Sequence, residues 1–384
     1  MTNDAPLLFD VTRLIWRRWK GRLPTGIDRV CLAYLRHFGA RSQAVIQHDR
    51  FRRILGADAS QELLALVEQP DRFRLKFSLG ALRHWRNPRS DGGGRLYLNI
   101  GHTGLNSAGF REWVTRSGTR PVYFVHDLIP ITHPEFCRAG ETGRHRGRMQ
   151  TVLGTATGVI GNSQATLDEL AAFAKAEGMP NPPAVPAWLG TDTLPVPANV
   201  PAPARPTFVV LSTIEARKNH LMLLDIWSRL VDRFGTKAPR LLVIGQRGWE
   251  AEDVFNRLDR DETLRDHVVE LNECSDEDLA RHLATARALL FPSLAEGYGL
   301  PLVEALGSGV PVIASDLPVF REIGSGIPTF IEPSASSEWE AAILDYARPD
   351  SAARRDQIKR MAGFRAPSWD DHFNAVEKFL DTLG

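Results

Sequence analysis

Cysteine is scarce: only Cys31, Cys137 and Cys274 occur in 384 residues. They are far apart and odd in number. No disulfide framework or metal knuckle is encoded, and a reducing compartment is expected. Long hydrophobic runs are also missing. No uncharged stretch approaches the ~18 apolar residues of a membrane-crossing helix. The most hydrophobic stretch, 121–131, is interrupted by His126 and Asp127. The opening MTNDAPLLFD has no positive region ahead of an apolar run, so no secretory leader is expected there. Collagen-like and heptad repeats are absent. With 43% hydrophobic and 24% charged residues, the composition is that of a globular chain and excludes global disorder. At roughly 150 residues per domain, the length suggests two domains or three.

Net charge is nearly absent, at +1, but it hides an asymmetry. Residues 1–190 carry 26 basic and 16 acidic side chains, whereas the remainder carries 21 and 30. Either the basic half meets an anionic partner, or the two halves attract each other. Proline marks the boundary. Residues 180–206 hold nine of the 25 prolines, which excludes a helix interior or a central strand. This stretch reads as an extended interdomain linker. The expected division is a first domain over 1–190, a linker over 191–206, a second domain over 207–365 and a closing helical segment over 366–384.

Each half alternates short apolar runs with helical patterns. RLYLNIG (95–101), PVYFVHD (121–127) and TGVIGNS (157–163) read as strands in the first half. In the second, TFVVLST, RLLVIG, ALLFPS, PVIASD and PTFIEP do, with a helix over about 218–234. Continuous apolar strands separated by helices indicate parallel sheets covered on both faces. Ligands of such sheets bind at the carboxyl ends of the strands.

The densest motif is ALLFPSLAEGYGLPLVEALGSGVPVIASD, 288–316. A strand ends at Ser293, and a loop carries Glu296, Gly297, Tyr298 and Gly299. A short helix opens at Leu300 with Pro301 in its first turn. Loop amides at a helix N-terminus make a ready anion site. Glu304 follows Glu296 by eight residues, a spacing that by itself also suits a cap acid and a solvated helix residue. LSTIEARKNH (211–220) places Arg217 and Lys218 where a strand gives way to a helix. Cations are disfavoured at that helix end unless they meet an anion. In YFVHDLIP (123–130), His126 and Asp127 sit at a strand's carboxyl end. A lone histidine there is more often structural, and Asp127 either orients it or caps the next turn. In PTGIDRV (24–30), Gly26 opens a helical pattern where a backbone can approach a ligand.

Two D-x-D strings, Asp259/Asp261 and Asp276/Asp278, lie in polar helical surroundings and read as structural acids. Ser275 and Asp278 have the spacing of a capping box. RLIWRRWKGR (13–22) sets Arg13, Arg17, Arg18, Lys20 and Arg22 beside Trp16 and Trp19. Residues 71–89 interleave basic side chains with Phe73, Phe77 and Trp85. Such mixtures hold proteins on anionic membranes or are ordinary solvated surface. No nucleic-acid-binding fold is visible.

Taken together, these segments resemble the retaining GT-B-fold glycosyltransferases of family 4, whose signature is two glutamates separated by seven residues. The resemblance covers roughly 20–384 and is weakest over 40–95. It implies an α/β protein of two Rossmann-like domains with an interdomain cleft, the first binding acceptor and the second nucleotide sugar. A C-terminal helix would cross back to the first domain. Glu296 would contact donor-sugar hydroxyls and Glu304 the ribose. Gly297, Tyr298, Gly299 and Leu300 would lie against the sugar and diphosphate. Arg217 and Lys218 would bind the diphosphate, with Thr213 where many members carry an arginine. His126, beside Asp127, would lie over the donor sugar. Gly26 would belong to the first-domain glycine loop, which usually carries more glycines. No metal and no cofactor are implied, only a nucleotide-diphosphate sugar as co-substrate, with a lean toward GDP-mannose. The implied acceptor is a glycan or lipid-linked glycan of surface polysaccharide assembly. The expected location is cytoplasmic and peripheral on an anionic inner-membrane surface, through Trp16, Arg17, Arg18, Trp19 and Lys20. A GT-B-fold sugar-nucleotide epimerase and a non-catalytic glycan-binding protein remain as alternatives.

Overall fold

A computed structural model describes residues 6–21, 25–68, 73–84, 91–191 and 200–384. Arg22, Pro24, Trp85 and half of the expected linker, 192–199, lie outside the described residues. The chain divides into two compact units. One comprises Met1–Ile131, Ala139–Leu189 and Trp369–Gly384; the other comprises Thr132–Arg138 and Gly190–Ser368.

The first unit is built on seven strands: β1 (Leu7–Asp10), β2 (Ser42–His48), β3 (Phe51–Ile54), β4 (Leu96–Asn99), β5 (Arg120–Val125), β6 (Gly158–Gly161) and β7 (Ala184–Pro186). Their order is β3-β2-β1-β4-β5-β6-β7. All neighbours are parallel except β2 and β3, which form an antiparallel hairpin. β1, β4, β5 and β6 are almost wholly buried, because helices cover both faces. The hairpin and the helices Ala57–Glu68 and Phe73–His84 fill the stretch where no motif was visible. β3 reads FRRI, and two arginines in four residues mask its period.

The second unit has six strands: β8 (Thr207–Leu211), β9 (Arg240–Ile244), β10 (Val268–Leu271), β11 (Leu289–Phe291), β12 (Val312–Ser315) and β13 (Thr329–Ile331). The order is β10-β9-β8-β11-β12-β13, all parallel. Its core gathers Phe208, Leu223, Trp227, Leu241, Leu290, Ile313 and Trp339. Ser275 caps its helix as expected, its side chain accepting from the Asp278 amide at 3.1 Å. In both sheets the strand order reverses once, between β1 and β4 and between β8 and β11. That reversal leaves a crevice at the carboxyl ends of the two strands.

The proline-rich stretch is not all linker. Ala184–Pro186 adds β7 to the edge of the first sheet beside β6. An edge position suits proline, whose missing N–H need not face a neighbour.

The helix Trp369–Leu383 belongs to the first unit, although the whole second unit precedes it. His372 is its anchor. Nδ1 donates to the Trp188 carbonyl at 2.9 Å, and Nε2 accepts from the Tyr34 hydroxyl at 2.9 Å. Phe373 stacks on His37 with ring centroids 4.0 Å apart. The helix also leans on Gly158 of β6, where a Cβ would come within 2.7 Å of Leu383 and 2.8 Å of Phe379.

Burial pushes the His372 imidazole down to about 4. The unfolded imidazole, near 6.5, binds a proton that the folded one refuses between these values. Stability therefore falls as pH drops from about 6.5 to 4. His372→Phe should lose ~1–3 kcal/mol at pH 7, because it strands the Trp188 carbonyl and the Tyr34 hydroxyl. It should also shrink the loss of stability between pH 7 and pH 5. Urea titrations at the two pH values measure both effects, and an unchanged pH increment would contradict the anchor's role.

Candidate functional site

The two strand-order reversals each carry a polar cluster, one in each unit. In the first unit, β1 ends at Asp10 and β4 at Asn99. Asp10 is buried, accepts from the Tyr97 hydroxyl at 2.6 Å and from Gln47, and caps Thr12 at 3.1 Å. Burial raises its carboxyl above the usual range, against those hydrogen bonds. Asn99 ties down the next loop: its amide donates to the Thr103 carbonyl at 2.8 Å, and its carbonyl accepts from the Thr103 amide at 3.1 Å. His102 rides on that loop in the left-handed region, at φ 57°.

These strand ends border a cavity of about 520 Å³, lined among others by Arg13, Trp16, His102, His126, His145 and Arg148. His126 closes β5, and its Nε2 donates to the Ile100 carbonyl at 2.8 Å. Burial pushes its imidazole down to about 4, outweighing the opposing pull of that bond and of Asp127. The Asp127 carboxylate accepts from the Ile129 amide at 3.2 Å. It caps the following turn, while the His126 ring bonds a different carbonyl, so of the two roles open to Asp127 the structure displays capping. Gly26 opens the helix Gly26–Phe38 behind the N-cap Thr25. A Cβ on it would meet nothing within 4 Å, so the protein's own packing does not require glycine there.

The basic helix Thr12–Lys20 divides its side chains. The Nε atoms of Arg13 and Arg17 both bond Asp28, at 2.6 and 2.5 Å. Asp28 also accepts from the Thr25 amide and hydroxyl. Burial would raise its carboxyl, but these bonds and the two guanidiniums hold it below the usual range. Arg18 turns to the Val67 carbonyl at 3.0 Å. Trp19 packs edge-on to Phe77 at 6.0 Å. Trp16 is 41% exposed, and the Lys20 ammonium lies 6.0 Å from its ring centroid.

In the second unit, β8 and β11 meet at the reversal. The turn after β8 brings Arg217 and Lys218; the loop after β11 brings Ser293 and Glu296. The Arg217 carbonyl accepts from the Leu294 amide at 2.7 Å, joining the two loops. Glu296 is the hub. Its Oε1 accepts from Lys218 and from the Ser293 hydroxyl at 2.8 Å, and its Oε2 accepts from Arg217 at 2.8 Å. Arg217 reaches back to Glu215 at 2.6 Å. Burial alone would raise the Glu296 carboxyl; the adjacent Lys218 and Arg217 charges reverse this and hold it at about 2. Burial in turn lowers the Lys218 ammonium below its usual range, against the pull of Glu296. Two cations and two carboxylates thus form a formally balanced, largely buried cluster.

Tyr298 is buried, and Gly299 has φ 116°, with Phe320 only 2.7 Å from where a Cβ would stand. Leu300 then starts the helix Leu300–Gly307, which carries Glu304. Thr213 is exposed in the turn after β8. The D-x-D acids are engaged elsewhere: Asp259 with Arg247, Asp261 with Arg257, and Asp278 with Ser275 and Arg281. Asp276 opens the helix Asp276–Thr285.

Residues 197–360 match the family described as "Glycosyl transferases group 1". The solved structure of Anabaena Alr3699/HepE in complex with UDP-glucose superposes with a TM-score of 0.66, covering 98% of this chain and 99% of that one at 16% identity. The chain carries a group 1 glycosyltransferase domain and has the GT-B fold. The chain is 30% identical over 270 residues to the serotype-specific mannosyltransferase WbdA of Escherichia coli. The match covers 64% of this chain but only 32% of WbdA, so the chain spans about a third of that relative's length. It is also 32% identical over 161 residues to the E. coli O-antigen chain mannosyltransferase B, 42% of each protein.

His102, His145, Ser293 and Glu215 were not anticipated as site residues, and Arg13 stood out only as part of the basic segment 13–22. His102 had a signal, since it directly follows a strand read correctly, and the strand-end rule applies to it as much as to His126. His145 sits inside the helix Glu141–Thr155 and had none.

Removing one member of the Glu296–Lys218 pair leaves a buried charge unopposed. Glu296→Ala should cost ~3 kcal/mol or more. The double change Glu296→Ala/Lys218→Met should cost less than the two single changes added together. Urea denaturation of the four proteins yields the coupling energy, and strict additivity would show that the pair is not an energetic unit.

Proposed function

We propose that this chain is a retaining glycosyltransferase that moves a sugar from a nucleotide-diphosphate sugar to a glycan or lipid-linked glycan in cell-surface polysaccharide synthesis. The observation that carries the reading is the Glu296–Lys218–Arg217 cluster at the carboxyl ends of β8 and β11, within a group 1 domain. A carboxylate held at about 2 stays ionised at every working pH and accepts hydrogen bonds from sugar hydroxyls. Lys218 has three donors and spends one on Glu296; with Arg217 and the amides of Gly297, Tyr298 and Gly299 it addresses the diphosphate. Glu304 holds the ribose, and Thr213, Leu300, Gly26 and Asp127 complete the donor surroundings. His126, neutral above about pH 4, serves the donor sugar without competing as a cation.

The bond between the anomeric carbon and the diphosphate oxygen breaks with its electron pair leaving on the nucleoside diphosphate. The acceptor oxygen bonds the anomeric carbon on the same face, and its proton passes to the departing phosphate oxygen. The developing charge is met by fixed donors, so no metal is invoked. The mannosyltransferase names of the relatives support GDP-mannose as the first donor to try.

Nucleotide sugars screened by thermal shift should identify the donor. Lys218→Ala should then lower kcat/KM by roughly a hundredfold or more; activity within a few-fold of the unaltered protein would remove Lys218 from the diphosphate site. Turnover should continue in excess EDTA, and abolition restored by Mg²⁺ or Mn²⁺ would make the reaction metal-dependent. Isomerised sugar formed from donor alone would favour the epimerase, and donor binding without transfer or hydrolysis the glycan-binding protein.

Among the described residues no helix is long and apolar enough to cross a membrane. We further propose attachment to an anionic membrane surface through the basic helix Thr12–Lys20. Of its five candidates, Trp16 and Lys20 are the exposed ones, since Arg17 and Arg18 are tied to Asp28 and Val67 and Trp19 packs on Phe77. Leu75 and Leu79, 58% and 59% exposed, extend the same reading. Lys20→Ser/Leu75→Ser/Leu79→Ser should lose co-sedimentation with phosphatidylglycerol vesicles at low salt. Each basic residue near such a surface is worth about 1 kcal/mol, and salt screens it. An unaltered protein that ignores the vesicles would refute membrane attachment.

A further inference from the structure

The first-unit cavity contains more histidine than the donor site of the proposed function uses. His102, His126 and His145 all line it. The His102 ring centroid lies 5.3 Å from that of His126 and 6.1 Å from that of His145. Each ring spends the same atom on a backbone carbonyl: Nε2 of His102 on Phe124 at 2.7 Å, of His126 on Ile100 at 2.8 Å, and of His145 on Asp127 at 3.1 Å. A carbonyl only accepts, so each Nε2 carries the hydrogen. Burial keeps all three imidazoles below their usual range, and mutual repulsion adds to this for His102. In the neutral ring with hydrogen on Nε2, Nδ1 is an acceptor. Among the described residues, no recorded donor meets any of the three Nδ1 atoms.

Three acceptors with fixed tautomers in one cavity suit a ligand rich in hydroxyl donors. The rest of the lining has the same character. Trp16, 41% exposed, also lines the cavity, and an indole ring suits the apolar C–H face of a pyranose. Arg13, held in place by Asp28, supplies guanidinium donors to ligand oxygens.

We infer that His102 and His145 act with His126 as a hydroxyl-accepting cradle for a pyranose in the first unit, with Trp16 against the ring face. This rests on the glycosyltransferase reading for which sugar arrives, but not for the binding itself. Two sources share the chemistry: the donor's sugar and the glycan acceptor's terminal residue. His102 and His145 are positioning residues; neither is assigned a proton transfer.

The test separates the two ring nitrogens. A glutamine side chain reaches the position of Nε2 and can still donate to the carbonyl, but it lacks the Nδ1 acceptor. His102→Gln and His145→Gln therefore keep the structural bond and remove the proposed contact. The full-length protein is titrated with an α-linked mannotriose bearing an alkyl aglycone, and separately with GDP-mannose, by calorimetry and saturation-transfer NMR. Melting temperature serves as the fold control.

Each glutamine variant should weaken binding of one of these probes about fivefold to tenfold, the scale of one neutral hydrogen bond, with melting within about 2 °C of the unaltered protein. The corresponding KM should rise in parallel, with kcat changed less. A rise confined to the mannotriose assigns the cradle to the acceptor; a rise confined to GDP-mannose assigns it to the donor sugar. If both glutamine variants bind both probes as the unaltered protein does, the histidines only brace the backbone and the inference is wrong. If the unaltered protein binds mannotriose and the variants do not, yet no nucleotide sugar is turned over, the cradle stands and the glycosyltransferase reading fails.

Discussion

Everything functional in this chain hangs on one topological constraint. In each parallel sheet the strand order reverses once, so two neighbouring strands send their chains to opposite faces. Helices cover the strands elsewhere; at the reversal, two strand ends lie open side by side. Backbone amides, loop glycines and polar side chains collect there because those ends need polar partners. In one unit this places Asp10, Arg13 and His102 together; in the other it places Arg217, Lys218, Ser293 and Glu296 together. Neither cluster is local in sequence, and both follow from strand order alone.

The two clusters solve the burial of polar groups in opposite ways. The second unit keeps its charges and pairs them: Glu296 is ionised because two cations outweigh the cost of burial. The first unit discharges its histidines instead. Burial lowers all three imidazoles against the pull of their carbonyl partners, while Arg13 and Arg17 pair at Asp28. A charged carboxylate hub and a set of imidazoles that burial disfavours as cations present different faces to a polyhydroxylated ligand.

Much of this was legible in the residues. The parallel sheets showed as apolar runs ending in polar or glycine residues, and E-G-Y-G-L-P-L-V-E-A-L marked the loop after β11 because its spacing is tied to a strand, a turn and a helix start. Arg217 and Lys218 stood out as cations at the wrong end of a helix; Glu296 is the local anion that permits them there. What stayed hidden was non-local. β7 lies inside a proline-rich stretch, where only its edge position permits a strand. His145 looks like any other polar helix residue until the fold brings it beside His102. Arg17 and Arg18 read as free surface charge, yet Asp28 and the Val67 carbonyl, both distant along the chain, engage them.

The helix Trp369–Leu383 has a consequence for how the chain is made. His372 bonds Tyr34 across 338 residues of sequence, and the second unit lies between them. As the polypeptide leaves the ribosome, the second unit can finish folding while the first still lacks the helix that covers Tyr34, His37 and Gly158. Domains usually mature in the order of synthesis; here the first-made domain is completed last. Until then its apolar flank around Tyr34 and Phe38 lacks the cover that His372 and Phe373 later provide.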